Sequence, residues 1–224
     1  MSIINTRQIT KANNKTKLVE FNDNLQPNDL SEKSGEIKST VHNKFSRIGV
    51  TIVDWSKGKK DKATVLNHNL IPATAKAIAE QVIIGNKNLF SRQGFAEQKI
   101  DFYKKDESGF SPISAIQIQY QQQMNNPWTI TIDSGKGIAV RNQNGGIAIK
   151  KGSYKKLSSS MVVISEIDML IKMTELRDYI ATFETCHMNY MLKNRTKFEQ
   201  KLKREREIQQ NGEYAIHFYT ITLE

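Results

Sequence analysis

The feature that most constrains this fold is the segment from Ile113 to Phe183, where several short strands in a row are followed by one amphipathic helix. Apolar and polar residues alternate through SAIQIQYQQQ and again through PWTITID. A period of two predicts strands that have one buried face and one solvated face. Turn residues separate these strands, and among them Asn144-Gly145 favours a tight hairpin.

A helix is predicted directly after the last of these strands, the apolar run Met161–Ile164. Ser165 is the predicted N-cap, and Asp168 three residues later gives an aspartate variant of the capping box. The helix is expected to pack one apolar stripe on the sheet and to continue through KNRTKFEQKLKREREIQQ as far as Gly212. The predicted stripe comprises Leu170, Met173, Leu176, Ile180, Phe183 and His187.

The first half of the chain repeats this order of elements. Strands are predicted over residues 45–55 and Lys62–Leu70, and a basic turn joins them. The following segment, IPATAKAIAEQVIIG, predicts a helix with Pro72 in its first turn and Gly85 as its C-cap. The two halves share this pattern without a residue-level repeat. The predicted apolar stripe of this first helix is Ala75, Ile78, Ala79 and Val82.

The predicted fold class is α+β, with curved antiparallel sheets packed by helices, strands-then-helix units and a long C-terminal helix. Residues 1–44 are rich in Asn, Lys, Ser and Thr and have few large apolar side chains. This composition predicts a flexible polar arm, with at most a short strand near Lys17–Phe21. The remaining residues are predicted to form a single domain, 45–224, made of sub-units 45–85 and 113–212 and a final strand over 213–223.

The charge of the chain favours a polyanionic partner. The net charge is +10 and the isoelectric point is about 9.5. These values favour nucleic acid over a membrane surface as the partner. A lysine-rich solvated surface is the alternative explanation. The single cysteine, Cys186, excludes an internal disulfide and a cysteine-based metal site. No apolar run approaches the ~20 residues of a membrane span, and the N-terminus has no apolar signal core, so we expect no membrane association and a cytoplasmic protein.

Catalytic motifs are not evident in this sequence. The four histidines are scattered, and none has a partner at metal-ligand spacing. Glu97-Gln98-Lys99 matches the end of a metal-dependent nuclease motif, but such a site needs a second carboxylate, and no aspartate lies between Asp61 and Asp101. The sequence therefore predicts a protein that is not an enzyme and that has no cofactor and no metal site.

Basic residues concentrate where the strands are predicted. Between Ile113 and Ser165 there are six Lys and Arg residues against one acid, Asp133. Amides and hydroxyls on a solvated strand face can bond bases and phosphates, and lysines supply the counter-charge for the backbone. Tyr154, which lies among lysines, is the aromatic residue best placed to stack on a base. The predicted nucleic-acid-binding residues are Lys59, Lys60, Gln117, Gln119, Thr129, Thr131, Lys136, Arg141, Lys150, Lys151, Tyr154, Lys155 and Lys156.

The chain resembles the single-stranded DNA-binding fold of the Whirly and positive-cofactor-four proteins. The resemblance rests on the antiparallel strands followed by a helix, on the Lys-rich strands and on the junction MVVISEIDMLIKMTEL. The resemblance covers mainly Ile113–Phe183, with a weaker counterpart at Phe45–Gly85. It implies that sheet faces and connecting loops hold unpaired nucleic acid. We therefore expect a single-stranded DNA-binding protein with little sequence specificity, acting in replication, recombination or transfer, with RNA as an alternative ligand.

Two other interpretations remain open from the sequence. An OB-type fold would have the same activity, with Pro72–Gly85 as the helix between its strands. A non-catalytic structural or assembly protein would use the long helix as its partner surface. Because Tyr190, Met191 and Phe198 continue past what one sheet can cover, we expect a homo-oligomer in either case. The Asn- and Lys-rich composition is typical of AT-rich genomes and favours a phage or mobile element as the source.

Overall fold

The computed structural model describes residues 7–25, 46–58, 60–143, 146–188, 200 and 203–204, without the side chain of Lys60. The chain divides into two units, of which the first comprises Met1–Leu25 and Arg47–Ala181. The second comprises Gln26–Ser46 and Thr182–Glu224. All the strands given below belong to the first unit.

The first sheet is an antiparallel meander of four strands that pair in chain order. A short 3-10 helix, Lys60–Lys62, precedes its last strand, and two helices follow that strand. Pro72 begins the longer of these helices, and Gly85, with φ of +74°, follows its end. The elements are β1 (Gln8–Asn13), β2 (Lys17–Asn24), β3 (Arg47–Asp54), β4 (Thr64–Leu70), α1 (Pro72–Ile83) and α2 (Lys87–Phe90).

The second sheet also has four antiparallel strands, and a long helix follows its last strand. The elements are β5 (Phe95–Ile100), β6 (Ser111–Tyr120), β7 (Trp128–Gly137), the hairpin β8 (Ala139–Arg141) and β9 (Ile147–Ile149), β10 (Lys155–Ile164) and α3 (166–188). The strand order in the sheet is β10-β7-β6-β5, and the two-stranded hairpin β8–β9 lies between β7 and β10 in the chain. Each sheet is thus followed by a helix, as the repeated sequence pattern predicted.

The core contains one face of each sheet and one stripe of each of the longer helices. Alternation along the strands points side chains such as Val50 of β3 and Ile130 of β7 into the core, where they are fully buried. Polar contacts also join the sheets: for example, Ser160 donates to Asp54 at 2.9 Å, and Nδ1 of His68 lies 3.1 Å from the Ser114 hydroxyl. Each sheet therefore has a core face and an opposite face, called here its outer face.

The α+β class is confirmed, and so are the main features of both predicted helices. The four residues of the predicted α1 stripe are the buried residues of that helix. Ser165 caps α3 as predicted, because its hydroxyl accepts from the Asp168 amide at 3.1 Å and donates to the Asp168 carboxylate at 2.7 Å. The α3 stripe differs from the prediction at both ends: the buried residue of its first turns is Met169, whereas Leu170 is 37% exposed, and Phe183 and His187 are only partly buried.

The prediction of a flexible arm is wrong for residues 8–24. These residues form β1 and β2, and β2 pairs with β3 along its whole length. The few apolar residues here alternate, so that Val19 and Phe21 are buried in the core although the segment is polar overall. The short strand predicted near Lys17–Phe21 is confirmed as part of β2. Residues 26–44 lie outside the described part of the chain.

The strands of the described residues form open meanders, which is not the arrangement of an OB fold. The predicted final strand over 213–223 and the apolar residues Tyr190, Met191 and Phe198 lie outside the described residues. Within the described part, no helix combines the length and the apolar character needed to cross a membrane.

Candidate nucleic-acid interface

Four of the predicted binding residues lie together on the outer face of the second sheet. Gln119 of β6 is opposite Thr129 of β7, and Gln117 is opposite Thr131. Their strand neighbours Ile118 and Ile130 and others of that parity point into the core. The period of two in the sequence therefore correctly predicted that these four residues share one side of the sheet, opposite the core.

This polar face is nevertheless largely engaged within the protein. The side-chain amide of Gln117 donates to the carbonyl of Gln93, and that of Gln119 donates to the carbonyl of Arg92, each at 3.0 Å. Thr129 is only 3% exposed, so the prediction that it lies on a solvated face is wrong. The segment before β5 folds against β6 at this end of the sheet, a contact that alternation along a single strand does not reveal.

The four lysines around Gly152 are divided by the backbone. Lys150 and Lys151 are exposed in a turn that connects β9 to β10, and Gly152 completes it with φ of +77°. Lys155 and Lys156 are consecutive residues of β10, so their side chains point to opposite sides of the sheet. The lysine cluster predicted from the sequence is therefore divided among three places: Lys150 and Lys151 lie in the turn, and Lys155 and Lys156 lie on opposite sides of β10.

Lys156 and Tyr154 belong to the outer face of the second sheet. Lys156 forms an ion pair with Asp133 at 2.6 Å, and this hydrogen bond raises the pKa of the lysine. The Tyr154 ring covers Gly135, since a Cβ there would lie 2.6 Å from the ring. Burial and the nearby Asp133 charge raise the pKa of the Tyr154 hydroxyl, which is buried with no hydrogen-bond partner among the described residues. Tyr154 is thus half-buried and packed on the strand.

Lys136 and Lys155 face the other way, at the end of the second sheet where β7 ends and β10 begins. Their ammonium groups lie 5.1 Å and 4.9 Å from the centre of the Phe110 ring. Both distances are within the range of a cation–π interaction. Asp106 also contacts Lys136 at 3.1 Å, and the Phe110 amide together with Lys136 lowers the pKa of that carboxyl group.

A second aromatic ring with cations over it is formed by Phe102. The Lys105 ammonium lies 5.1 Å from the ring centre, and the Arg141 guanidinium of β8 lies 5.2 Å from it. Tyr103 packs edge-on against Phe102 at 5.6 Å and is 65% exposed. We call the group of rings and cations at this end of the sheet the aromatic–cation cluster: Phe102, Tyr103, Lys105, Phe110, Lys136, Arg141 and Lys155.

Three of the cluster's cations were predicted, but none of its rings was. The missed signal is the run Phe102-Tyr103-Lys104-Lys105, in which two aromatic residues precede two lysines. Such interleaving is typical of surfaces that bind unpaired bases. Of the other predicted residues, Lys59 lies outside the described residues, and Lys60 begins the 3-10 helix with its side chain outside them.

The nuclease-like motif lies at a buried polar contact between the sheets. Glu97 and Lys99 of β5 approach His68, with Nε2 of the histidine 4.0 Å from the Glu97 carboxylate. Lys99 also donates to the main-chain carbonyl of Asn69. Burial, together with the Lys99 charge, lowers the pKa of His68 to about 4. No group of three His, Cys, Asp or Glu residues in the described segments is arranged to hold a metal ion.

No protein-family model, curated protein or solved structure matches this chain.

Proposed function

We propose that this protein binds single-stranded nucleic acid, preferably DNA, with little sequence specificity and without catalysing a reaction. Such a protein would act in DNA replication, recombination or transfer, in the cytoplasm of a cell or as a phage or mobile-element product. The two strands-then-helix units agree with the architecture implied by the Whirly and positive-cofactor-four resemblance. The observation that carries the proposal is the aromatic–cation cluster.

The cluster supplies both kinds of contact that a single strand needs. The exposed Tyr103 ring can stack on a base, which stabilises a complex by ~1–3 kcal/mol per base. Arg141 lies beside the Phe102 ring and Lys155 beside the Phe110 ring, so each of these two rings has a cation next to it. The exposed turn lysines Lys150 and Lys151 add charge for the phosphates.

The preference for unpaired bases follows from the rings. In a duplex the base faces are stacked on one another, so an aromatic side chain can reach them only after the strands separate. The cations contribute to either complex, because phosphate contacts do not depend on pairing or on base identity. We therefore expect a single strand to bind more tightly than a duplex, and different sequences to bind with similar affinity.

The test compares one oligonucleotide, single-stranded and as a duplex of the same length, by fluorescence anisotropy. The wild type should bind the single strand more tightly. Tyr103→Ala should lose ~1–3 kcal/mol of single-strand affinity with little change for the duplex, while Tyr103→Phe, which keeps the ring, should behave like the wild type. Equal or better affinity of the wild type for the duplex would contradict the proposal.

A second candidate function, a non-catalytic assembly protein, is favoured by the surface of α3. Ile167, Leu170 and Ile171 share one side of this helix and are 61%, 37% and 42% exposed. Exposed apolar residues in series are typical of a protein–protein contact. The two functions are compatible, because a homo-oligomer would bring several aromatic–cation clusters to one strand.

A further inference from the structure

The outer face of the first sheet carries a polar recess lined by asparagines of β2 and β4. Its volume is about 350 Å³. Gly49 of β3 lies at its floor, between Asn22 of β2 and Asn69 of β4, which are its partners across the sheet. Asn24 and Asn67 stand beside them. We call this site the asparagine recess: Arg7, Asn22, Asn24, Thr51, Asn67 and Asn69 around Gly49.

The recess exists because residue 49 has no side chain. A Cβ at Gly49 would lie 2.9 Å from the amide nitrogen of Asn24 and 3.7 Å from the amide oxygen of Asn69. Glycine inside a strand weakens it, and it marks places where a ligand or another backbone approaches closely. The backbone at Gly49 is extended, a conformation that any residue can adopt, so the backbone geometry does not require glycine at this position. What glycine provides here is the open space above the strand.

Hydrogen bonds hold the walls of the recess in place. Asn22 donates to the Thr51 hydroxyl at 3.3 Å, and that hydroxyl donates to the amide oxygen of Asn67 at 2.8 Å. Arg7 donates to the amide oxygen of Asn24 at 3.4 Å. Among the described residues, the side-chain nitrogens of Asn24 and Asn67 have no hydrogen-bond partner, so amide donors face the space.

The chemistry of this lining selects a class of ligand. Side-chain amides offer a donor and an acceptor side by side, which matches the edge of a nucleobase. The volume is at the lower end of the ~300–1,000 Å³ of small-molecule sites, but the walls are polar, whereas most such sites are apolar. Arg7 also lines the recess, and its guanidinium can contact the phosphate of a nucleotide whose base lies between the asparagines.

We propose that the asparagine recess binds the base of one nucleotide, with the asparagine amides on the edge of the base and Arg7 on the phosphate of that nucleotide. The base can come from a free nucleotide or from a bound strand, and only the second source rests on the proposed function. Because adenine pairs with an asparagine amide through two hydrogen bonds, adenine is the favoured base.

The test follows the side-chain amide NMR signals of Asn24, Asn67 and Asn69 while AMP, CMP, GMP or UMP is added to the full-length protein, and then a short single-stranded oligonucleotide. These signals should shift with AMP more than with the other nucleotides. Gly49→Ala, whose methyl group fills the floor and displaces only the end of the Asn24 side chain, should weaken AMP binding at least about tenfold. Val65→Ala, on the exposed side of β4 outside the recess, should not.

The outcomes separate this inference from the proposed function. Shifts with a nucleotide but no affinity for any strand would support the recess and assign it to free nucleotides, while the proposed function would fail. Strand binding that depends on Tyr103 but leaves the asparagine signals unmoved by every nucleotide and by the strand would overturn the recess alone. Nucleotide shifts that persist undiminished in Gly49→Ala would also overturn it.

Discussion

At the scale of single residues, His68 shows how a polar side chain is accommodated between the two sheets. It is 1% exposed, contacts the Ser114 hydroxyl, and faces Glu97 and Lys99 of β5. Burial disfavours the charged imidazolium, and the Lys99 ammonium repels it, so the pKa falls from 6.5 to about 4. In the folded protein His68 is therefore neutral at pH 7 and remains mostly neutral at pH 5.

This lowered pKa predicts that acid weakens the fold before the carboxylates titrate. The unfolded chain protonates His68 near pH 6.5 and the folded chain only near pH 4, so stability is full above pH 6.5 and is lost as the pH falls. Between pH 7 and pH 5 the free energy of unfolding should decrease by about 2 kcal/mol. Urea unfolding at a series of pH values measures it, with His68→Gln as the comparison.

In His68→Gln the stability should be nearly independent of pH over the same interval, whatever its absolute value. The comparison is internal to each variant, so a general destabilisation by the substitution does not affect it. An equal loss of stability between pH 7 and pH 5 in both proteins would show that other groups are responsible.

At the scale of secondary-structure elements, α3 has two apolar sides. Met169, Met173, Leu176 and Ile180 are buried in the core. The side with Ile167 and Ile171 is exposed, although burying such a side chain stabilises a protein by ~1.5–3 kcal/mol. A second copy of the chain, meeting this side with its own, would remove the exposed apolar surface from water.

We therefore predict a dimer or larger oligomer that depends on this side of α3. Light scattering at tens of micromolar should give a multiple of the 25.6 kDa chain mass for the wild type. Ile167→Lys combined with Ile171→Lys should reduce the mass to that of one chain, because a charge cannot be buried there without a partner. Ile84→Lys, at a residue that is 67% exposed after α1, serves as the matched control and should leave the oligomer intact. A monomeric wild type would refute the prediction.

The elements themselves were largely predictable from local pattern. The alternation through β6 and β7 and the capping residue Ser165 depend on neighbours in sequence, and they predicted the correct strands, face and helix start. The β1–β2 pair was not predicted, because Val19 and Phe21 become core residues only when β3 is beside them. The composition of residues 8–24 alone gives no indication that they pair with β3.

The site was less predictable, because its contacts join residues distant in sequence. Lys136 and Lys155 meet on the Phe110 ring only after β10 pairs with β7. The burial of Thr129 depends likewise on tertiary packing. The asparagine recess could have been suspected from Asn22 and Asn24, and from Asn67 and Asn69, since residues two apart on a strand share a face. That these asparagines lie on either side of Gly49 follows only from the pairing of β2, β3 and β4.

At the scale of the whole molecule, the net charge is +10, but not every lysine is equally free to contact a polyanion. Several lysines are held by acids of the protein, as Lys156 is by Asp133. The turn lysines Lys150 and Lys151 are exposed, and Lys155 rests on the Phe110 ring. A lysine that is already paired with an acid of the protein neutralises phosphates less, and so releases fewer counterions from the nucleic acid when it binds. The position and the ion pairing of each lysine should therefore decide how much it contributes to affinity.

The most direct test of the account is the salt dependence of single-strand affinity. In the triple variant Lys150→Ala, Lys151→Ala and Lys155→Ala, the slope of log affinity against log salt should flatten by up to ~2 units, at ~0.7 for each phosphate that is no longer neutralised. All oligonucleotide sequences should bind more weakly, and by about the same factor. Lys156→Ala, which removes an adjacent but ion-paired lysine on the opposite side of β10, should change the slope little. A triple variant with wild-type affinity and wild-type slope would contradict the account.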